Sequence, residues 1–432
     1  MFRQRLPVLA FALVLAGCNP GSSSGPAGSC ETQAAILSTQ SVHPKSFNSA
    51  IERFLVKSAS GEWRSEILPA GASRDGEIAR LLREGARRIE PDFKIQIEAV
   101  NDPQIAAQWA HAKVHSAEAW ALTQGNRKVV VGIVDGGVDI NHPDLAANIW
   151  TNRGESAGVI DHDGNGYKGD VHGWDFIHND ADPRPDSNTH VHGTHVAGSI
   201  GAVGGNGIGV AGEALQVQLM PLKFIGTDGS GSTSDAIRAI DYGIKNGAHV
   251  LNMSWASSDF SSALYEALQR ARAAGILVVA AAGNDGQNAD HYPQYPAAYG
   301  LDNIISVAAT GESDQLAAFS NFGATSVDVA APGLSILSTF PGGGYGSLSG
   351  TSMASPLVAG LAALVKARHF DFSYAKISAA IKEGADMVAG LRGKLRWGGR
   401  VNAYRTLLAA DAIERDPLGH TLPPPAATCP VH

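Results

Sequence analysis

Four residues stand where a folded chain can expose its chemistry, in the order Asp135, His192, Asn284 and Ser352. Asp135 closes the apolar run Lys128-Val129-Val130-Val131-Gly132-Ile133-Val134 and is followed by Gly136-Gly137. His192 opens His192-Gly193-Thr194-His195-Val196-Ala197-Gly198, whose small residues suit a helix pressed closely on a neighbour. Asn284 follows the run Val278 to Gly283 and precedes Asp285-Gly286. Ser352 lies in Gly350-Thr351-Ser352-Met353-Ala354-Ser355-Pro356, just before an apolar helix that runs to about Ala367. Each has a plain structural explanation when taken alone. An Asp or Ser at such a junction is ordinarily a cap or turn residue, and Asn-Asp-Gly is a turn signal. Two His three residues apart also suit a metal pair, but no carboxylate follows at metalloprotease spacing. His192 is therefore read as the working imidazole and His195 as structural. A serine at a helix N-terminus has small neighbours that admit a substrate, and the helix dipole favours the negative charge that develops during acyl transfer.

These residues need a frame. Lys128–Val134 has almost no polar face, as expected of a strand covered on both sides. Further strands are expected at Leu215–Phe224, His249–Met253, Ile276–Ala281 and Ile304–Val307. Helices are expected at Ser234–Asn246, with Ile237, Ile240 and Ile244 on one face, and at Ser262–Ala274, with Leu264 and Leu268. The alternation predicts an α/β fold, a parallel sheet with helices on both faces and functional groups beyond the carboxyl ends of its strands. Before it, residues 33–100 carry a helix-like stretch, Glu77–Arg88. They also carry two alternating runs, Ile51–Lys57 and Phe93–Ile97, enough for a small α+β unit. The chain has 432 residues, 44% hydrophobic and 17% charged, which excludes a disordered chain. A formal net charge of −8 gives no reason to expect a nucleic-acid partner. The 50 glycines suit tight packing with many turns, and no 20-residue period points to a solenoid.

The blocks Val134-Asp135-Gly136-Gly137-Val138-Asp139, His192–Gly198 and Gly350–Pro356 resemble those of the subtilisin-like serine proteases, the subtilases, over roughly Asn101 to Ala410. The resemblance implies a subtilisin-like fold preceded by a propeptide-like unit, and a serine endopeptidase working through an acyl-enzyme. Ser352 would be the nucleophile, His192 the general base and then acid, and Asp135 its orienting partner. The Asn284 amide and the Ser352 backbone N–H would hold the oxyanion. Extended peptide or protein substrates would add as a strand between Gly229-Ser230-Gly231 and Ser254-Trp255-Ala256. Two departures stand out. Gly136 replaces the family's usual Ser or Thr, and Trp255-Ala256 replaces a common Leu-Gly, a bulkier rim for the first specificity pocket. Asp161-His162-Asp163-Gly164-Asn165-Gly166-Tyr167 matches the first half of an EF-hand-type loop, with His172 where the twelfth-position Glu would stand. Similar subtilase loops bind Ca2+, which implies a structural calcium with Asp161, Asp163, Asn165, Tyr167 and Asp170 as ligands; an acidic surface turn is the alternative. A non-catalytic peptide-binding lipoprotein on this fold is a rival that the complete set with Asn284 argues against. An esterase is another, but Ser352 does not sit in a Gly-x-Ser-x-Gly elbow.

Arg3 and Arg5 precede an apolar run from Pro7 to Gly17, too short to span a bilayer and suited to a signal peptide over 1–17. Leu15-Ala16-Gly17-Cys18 resembles the lipobox of bacterial lipoproteins, so Cys18 is expected to be acylated, with residues 18–32 as a flexible tether. The expected layout continues with the propeptide-like segment 33–100, where Arg88-Ile89-Glu90-Pro91-Asp92 resembles a propeptide terminus. The catalytic domain, 101–410, and a tail, 411–432, follow. The expected product is an exported monomer, bound to the cell envelope (the outer membrane) through lipid alone, with secretion as the alternative. With Cys18 taken by lipid, Cys30 and Cys429 are left to pair in an oxidising compartment. Such a bond would keep a chain cut near Asn101 joined to its pro-segment. On non-reducing gels the processed protein is then expected to migrate as one species that reductant splits. A catalytic fragment already free without reductant refutes the link, and peptide mapping of the Cys30–Cys429 bond decides for an uncut chain.

Overall fold

The computed structural model describes residues 53–59, 63–67, 73–91 and 100–415, and the chain divides into two units at residues 96/97. The expected strand Phe93–Ile97, together with Cys18, Cys30 and Cys429, lies outside the described residues. In the smaller unit, β1 (Arg53–Lys57) pairs antiparallel with both β2 (Trp63–Ile67) and β3 (Arg88–Pro91). Helix α1 (Arg74–Arg83) supplies Leu81 to a small core with Phe54 and Val56. The helix starts and stops earlier than its apolar pattern suggested. Ser73 caps it by accepting from the Gly76 N–H, and Gly85, at φ +91°, turns the chain back in a conformation that only glycine adopts without strain. Arg88–Pro91 is thereby released into a strand.

The larger unit opens with α2 (Trp109–Val114) and α3 (Ser116–Trp120), then β4 (Gly125–Asp135). β5 (Trp174–Asp175), α4 (His192–Gly201), β6 (Gln216–Lys223) and α5 (Thr233–Lys245) follow. Next come β7 (Val250–Met253), α6 (Ser262–Ala273), β8 (Leu277–Ala281), β9 (Ile304–Thr310) and β10 (Val329–Pro332). The hairpin β11 (Ile336–Phe340) and β12 (Gly344–Leu348) leads into α7 (Thr351–Arg368). α8 (Tyr374–Gly384), β13 (Asp386–Met387), β14 (Gly399–Arg400) and α9 (Ala403–Arg415) complete the unit. The nine-stranded sheet has the order β13-β14-β10-β9-β8-β7-β4-β6-β5 and is parallel except for the β13–β14 pair.

β4 shows why its sequence has no polar face. Val129, Val131 and Ile133 pack into one core with Val196 and Ile200 of α4 and most of α7. Val130 and Val134, pointing the other way, pack with Ile240 of α5 and Leu268 of α6. From β4 the chain passes to β6 on one side and returns to β7 on the other, so the carboxyl end of β4 is a topological switch point. Each neighbouring strand delivers a loop to that edge: β6 leads to Gly229–Gly231, β7 to Ser254–Ala256, and β8 to Asn284.

Candidate active site

Asp135 is the last residue of β4 and is 1% exposed. Its Oδ1 accepts from the Gly136 N–H at 2.7 Å and from His192 Nδ1 at 2.8 Å. His192 begins α4, and that helix can come so close because Gly193 has no side chain: a Cβ there would lie 2.2 Å from the Gly137 carbonyl oxygen. Gly137 itself has φ +97° and is covered by the Pro183–Pro185 backbone. Burial disfavours a charged His192 ring, and the charge and hydrogen bond of Asp135 outweigh it, so the imidazole pKa lies above its ordinary value. His195, one turn along, is the opposite case. It is fully buried and its Nε2–H donates to the Ile336 carbonyl at 2.7 Å. Burial pushes its pKa down to about 4.

Ser352 lies in the first turn of α7. Pro356 has no N–H to give the Ser352 carbonyl four residues back, and Ser254 Oγ donates to that carbonyl instead, at 2.9 Å. In return the Ser352 hydroxyl donates to the Ser254 carbonyl at 3.0 Å. Ser254 Oγ also meets Ser355 Oγ and accepts from Asn252 Nδ2, both at 2.9 Å, so a buried polar network fixes the serine turn. Asn284 Oδ1 accepts from the Thr351 backbone N–H at 2.8 Å and from its hydroxyl at 2.9 Å. A backbone N–H can only donate, so the oxygen must face Thr351 and the amide NH2 must face away. Thr351, which sequence reading passed over, is fully buried and also accepts from the Gly283 N–H at 3.2 Å. Its position directly before Ser352 was visible; its partner 67 residues away was not.

Two cavities meet at Trp255 and Ala256. One, of about 440 Å³, is lined by Asp135, His192, Gly229 and Ser254. The other, of about 1000 Å³, is lined by Asn284, Thr351 and Ser352. The structure thus gathers all four chemistry-bearing residues at one cleft, with Gly229 and Ala256 exposed along it and Ser230 and Gly231 exposed next to Gly229 in the chain. The Trp255 ring packs edge-on against Phe224, with centroids 5.0 Å apart.

The acidic loop is arranged differently from an even ring of five ligands. Carboxylate oxygens of Asp161, Asp163 and Glu155 lie within 4.8 Å of one another. Glu155, outside the motif, was missed because only the folded turn brings it there. The Gly166 N–H, with those of Gly164 and Asn165, holds Asp161 below the usual carboxylate range. Asn165 turns its amide NH2 toward Asp163 and Asp170, while its Oδ1 accepts from the Tyr167 N–H. The Tyr167 ring packs against Trp174, Phe176 and Tyr242. Asp170 is fully buried and accepts from Tyr242, Asn165 and Asn152.

A buried carboxylate–imidazole pair and a serine at a helix N-terminus, sharing one cleft at the edge of a parallel sheet, define a serine hydrolase. Residues 126–403 match the family described as peptidase S8, the subtilase family, and the chain belongs to it. It is 39% identical to thermitase of Thermoactinomyces vulgaris over 308 residues, 71% of this chain and 98% of that one. To subtilisin E of Bacillus subtilis it is 32% identical over 376 residues, 86% of this chain and 90% of that one. A solved protease of Pseudoalteromonas arctica PAMC 21717 superposes with a TM-score of 0.61 at 31% identity, covering 72% of this chain and 99% of that one. The protein is a serine endopeptidase, and its substrates are proteins or peptides.

His195 generates a prediction that does not depend on catalysis. Its folded pKa of about 4 is below the unfolded value of about 6.5. Its contribution is therefore complete above pH 6.5 and is lost as pH falls toward 4, because the unfolded chain binds the proton first. The loss amounts to about 3 kcal/mol. Urea unfolding between pH 7 and pH 4.5 is expected to show this slope in wild type and a shallower one in His195→Asn.

Proposed function

We propose that this endopeptidase works through an acyl-enzyme, with Ser352 as nucleophile, His192 as general base and then acid, and Asp135 as the carboxylate that orients it. The 2.8 Å bond between His192 Nδ1 and Asp135 carries the reading. It makes Nδ1 the donor and leaves the Nε2 lone pair free to take a proton. The Ser352 hydroxyl must turn from the Ser254 carbonyl to His192 Nε2 as its oxygen attacks the scissile carbonyl carbon. Charge that builds on the carbonyl oxygen meets the Asn284 NH2, which Thr351 holds outward, and the Ser352 N–H at the helix start. His192 then gives the proton to the leaving amine, and water, activated by the same ring, releases the acyl group. Extended substrate adds as a strand between Gly229–Gly231 and Ser254–Ala256, with Trp255 narrowing the first pocket.

The acyl-enzyme reading is tested by labelling with an active-site serine phosphonate. Wild type is expected to be labelled and Ser352→Ala to be neither labelled nor active on casein. Wild-type rates in Ser352→Ala overturn the assignment. Because the base must be neutral, kcat/KM is expected to fall as pH drops through the raised His192 pKa, on the alkaline side of a free imidazole. Asp135→Asn removes the charge and exchanges one carboxylate oxygen for an NH2 donor. It is expected to lower kcat by about 10⁴, the size of the same change in another serine-protease triad, and to move the acid limb to lower pH.

Calcium in the acidic loop is also proposed. Three converging carboxylates, one of them held ionised by backbone N–H groups, fit a hard cation. Asp161, Asp163 and Glu155 would hold it, with the Tyr167 carbonyl in the loop's seventh position. In this arrangement Asn165 and Asp170 brace the loop from behind. The ion would supply cross-linking between loop segments and no part of the reaction. Chelation is expected to lower the melting temperature of wild type, by the equivalent of about 2.7 kcal/mol where free calcium had stood at a hundred times Kd. Asp163→Ala should lose most of that sensitivity. Equal sensitivity in both proteins points to a plain acidic turn here or to calcium bound elsewhere. Export with Cys18 acylated, a monomeric enzyme at the cell envelope, the segment boundaries at 33–100 and 101–410, and the Cys30–Cys429 bond rest on their sequence grounds. No helix among the described residues is long and apolar enough to cross a membrane.

A further inference from the structure

Lys223 is the last residue of β6 and its side chain is 2% exposed. Register places it beside Asp135 of β4 on one side and Asp175 of β5 on the other, so the three residues form a row across adjacent strands at the functional edge. Its ammonium lies 2.8 Å from Asp175 Oδ2 and bonds Asp186 directly. His178 Nδ1 joins the same cage, 2.8 Å from Asp175 and 3.8 Å from Asp186. Asp175, His178 and Asp186 present their ligand atoms as a cation site would, and the cation there is a side chain of the protein itself. Burying an ammonium is costly unless its hydrogen bonds are met, so the cage holds Lys223 and Lys223 in turn holds the cage.

Asp186 belongs to the segment that runs into His192. Three residues before it, the Pro183 carbonyl accepts from the Val138 N–H at 3.0 Å. The backbone of Pro183, Arg184 and Pro185 lies against Gly137, within 2.9 Å of where a Cβ would stand. On another side, Gly137 meets Gly193, the residue after His192. The turn that follows Asp135 is therefore enclosed between the tethered segment and the start of α4. Loosening the tether frees the very backbone that sets the distance between Asp135 and His192.

We propose that Lys223 is a positioning residue for the reaction: by clamping Asp175 to Asp186 it seats residues 183–186 on Gly137 and so fixes the Asp135–His192 pair. The inference rests on His192 being the general base. Asp186→Asn tests it most cleanly, because the buried Lys223–Asp175 pair stays intact and only the ionic tether to the segment is removed. In folded protein, assayed well below its melting temperature, kcat is expected to drop roughly tenfold with KM nearly unchanged. The acid limb of kcat is expected to move down by about half a pH unit as the Asp135 bond loosens. Lys223→Met should act in the same direction and more strongly. A purely structural Lys223 would give variants that melt earlier but keep the wild-type kcat and acid limb, and that result overturns the proposal. Should Lys223→Met fail to fold, Asp186→Asn decides alone. An active Ser352→Ala, or a wild type without an acid limb, would instead overturn the triad reading and take this inference with it.

Discussion

The functional edge of the larger unit is organised around one constraint, a carboxylate buried at the end of a strand. Asp135 is 1% exposed, and its Oδ2 is buried with no hydrogen-bond partner among the described residues. A polar group buried in that setting must be matched by a partner held at hydrogen-bond distance, and here the side-chain partner is His192. Keeping it there explains features that otherwise look unrelated. Gly193 is needed because any side chain would strike the Gly137 carbonyl, and Gly137 because the Pro183–Pro185 backbone leaves it no room. The wholly apolar β4 is needed because both faces of the strand that presents Asp135 are covered.

The second arm of the site is built by subtraction. A proline in the second turn of α7 deletes one helical hydrogen bond and opens the Ser352 carbonyl to Ser254. The serine that carries the nucleophilic oxygen in our reading is thus anchored through its backbone to the strand end of β7. Asn284 is anchored in turn through Thr351 at the same helix start. One helix N-terminus therefore fixes both the Ser352 turn and the Asn284 amide. In that reading these are the attacking group and the amide aimed at developing charge, and neither is left to the flexibility of a free loop.

How much of this was legible in the chain depends on range. β4, β6, α5 and α6 appear within a residue or two of where periodicity placed them, except that β4 starts three residues earlier, because each needs only its own apolar pattern. The four chemistry-bearing residues were legible because each sits at a junction between an apolar run and glycines. What local pattern does not encode is partnership across the fold. The β11–β12 hairpin, α8 and α9 carry small or mixed residues and take their form from packing around α7. Thr351, Glu155 and Lys223 look like an ordinary helix-start residue, a surface acid and a strand-end lysine until the chain is folded. α1 was misplaced for a local reason that could have been read, since Ser73 and Gly85 are its cap and its stop.

The edge of the sheet also shows how one kind of group is given different work by its partner. Asp135, Asp144, Asp170 and Asp175 are among the buried carboxylates of this unit. Asp144 accepts from the Val210 N–H and the Asn206 amide, and burial raises its pKa. Asp170 is met by a tyrosine hydroxyl and two amides, and burial raises it too. For Asp175, burial pushes upward but the bonds from Lys223 and His178 outweigh it, and the pKa falls below the usual range. None of the partners of Asp144 and Asp170 releases a proton near neutral pH, and the Lys223 pKa is raised further from that range by its two carboxylates despite burial. Asp144 and Asp170 can therefore only hold loops in place. Asp135 and Asp175 each have an imidazole partner, but His178 lines a separate cavity with Asp186 and Lys223. His192 lines the cleft that continues past Trp255 to Ser352, where an imidazole can take up a proton and give it away at working pH.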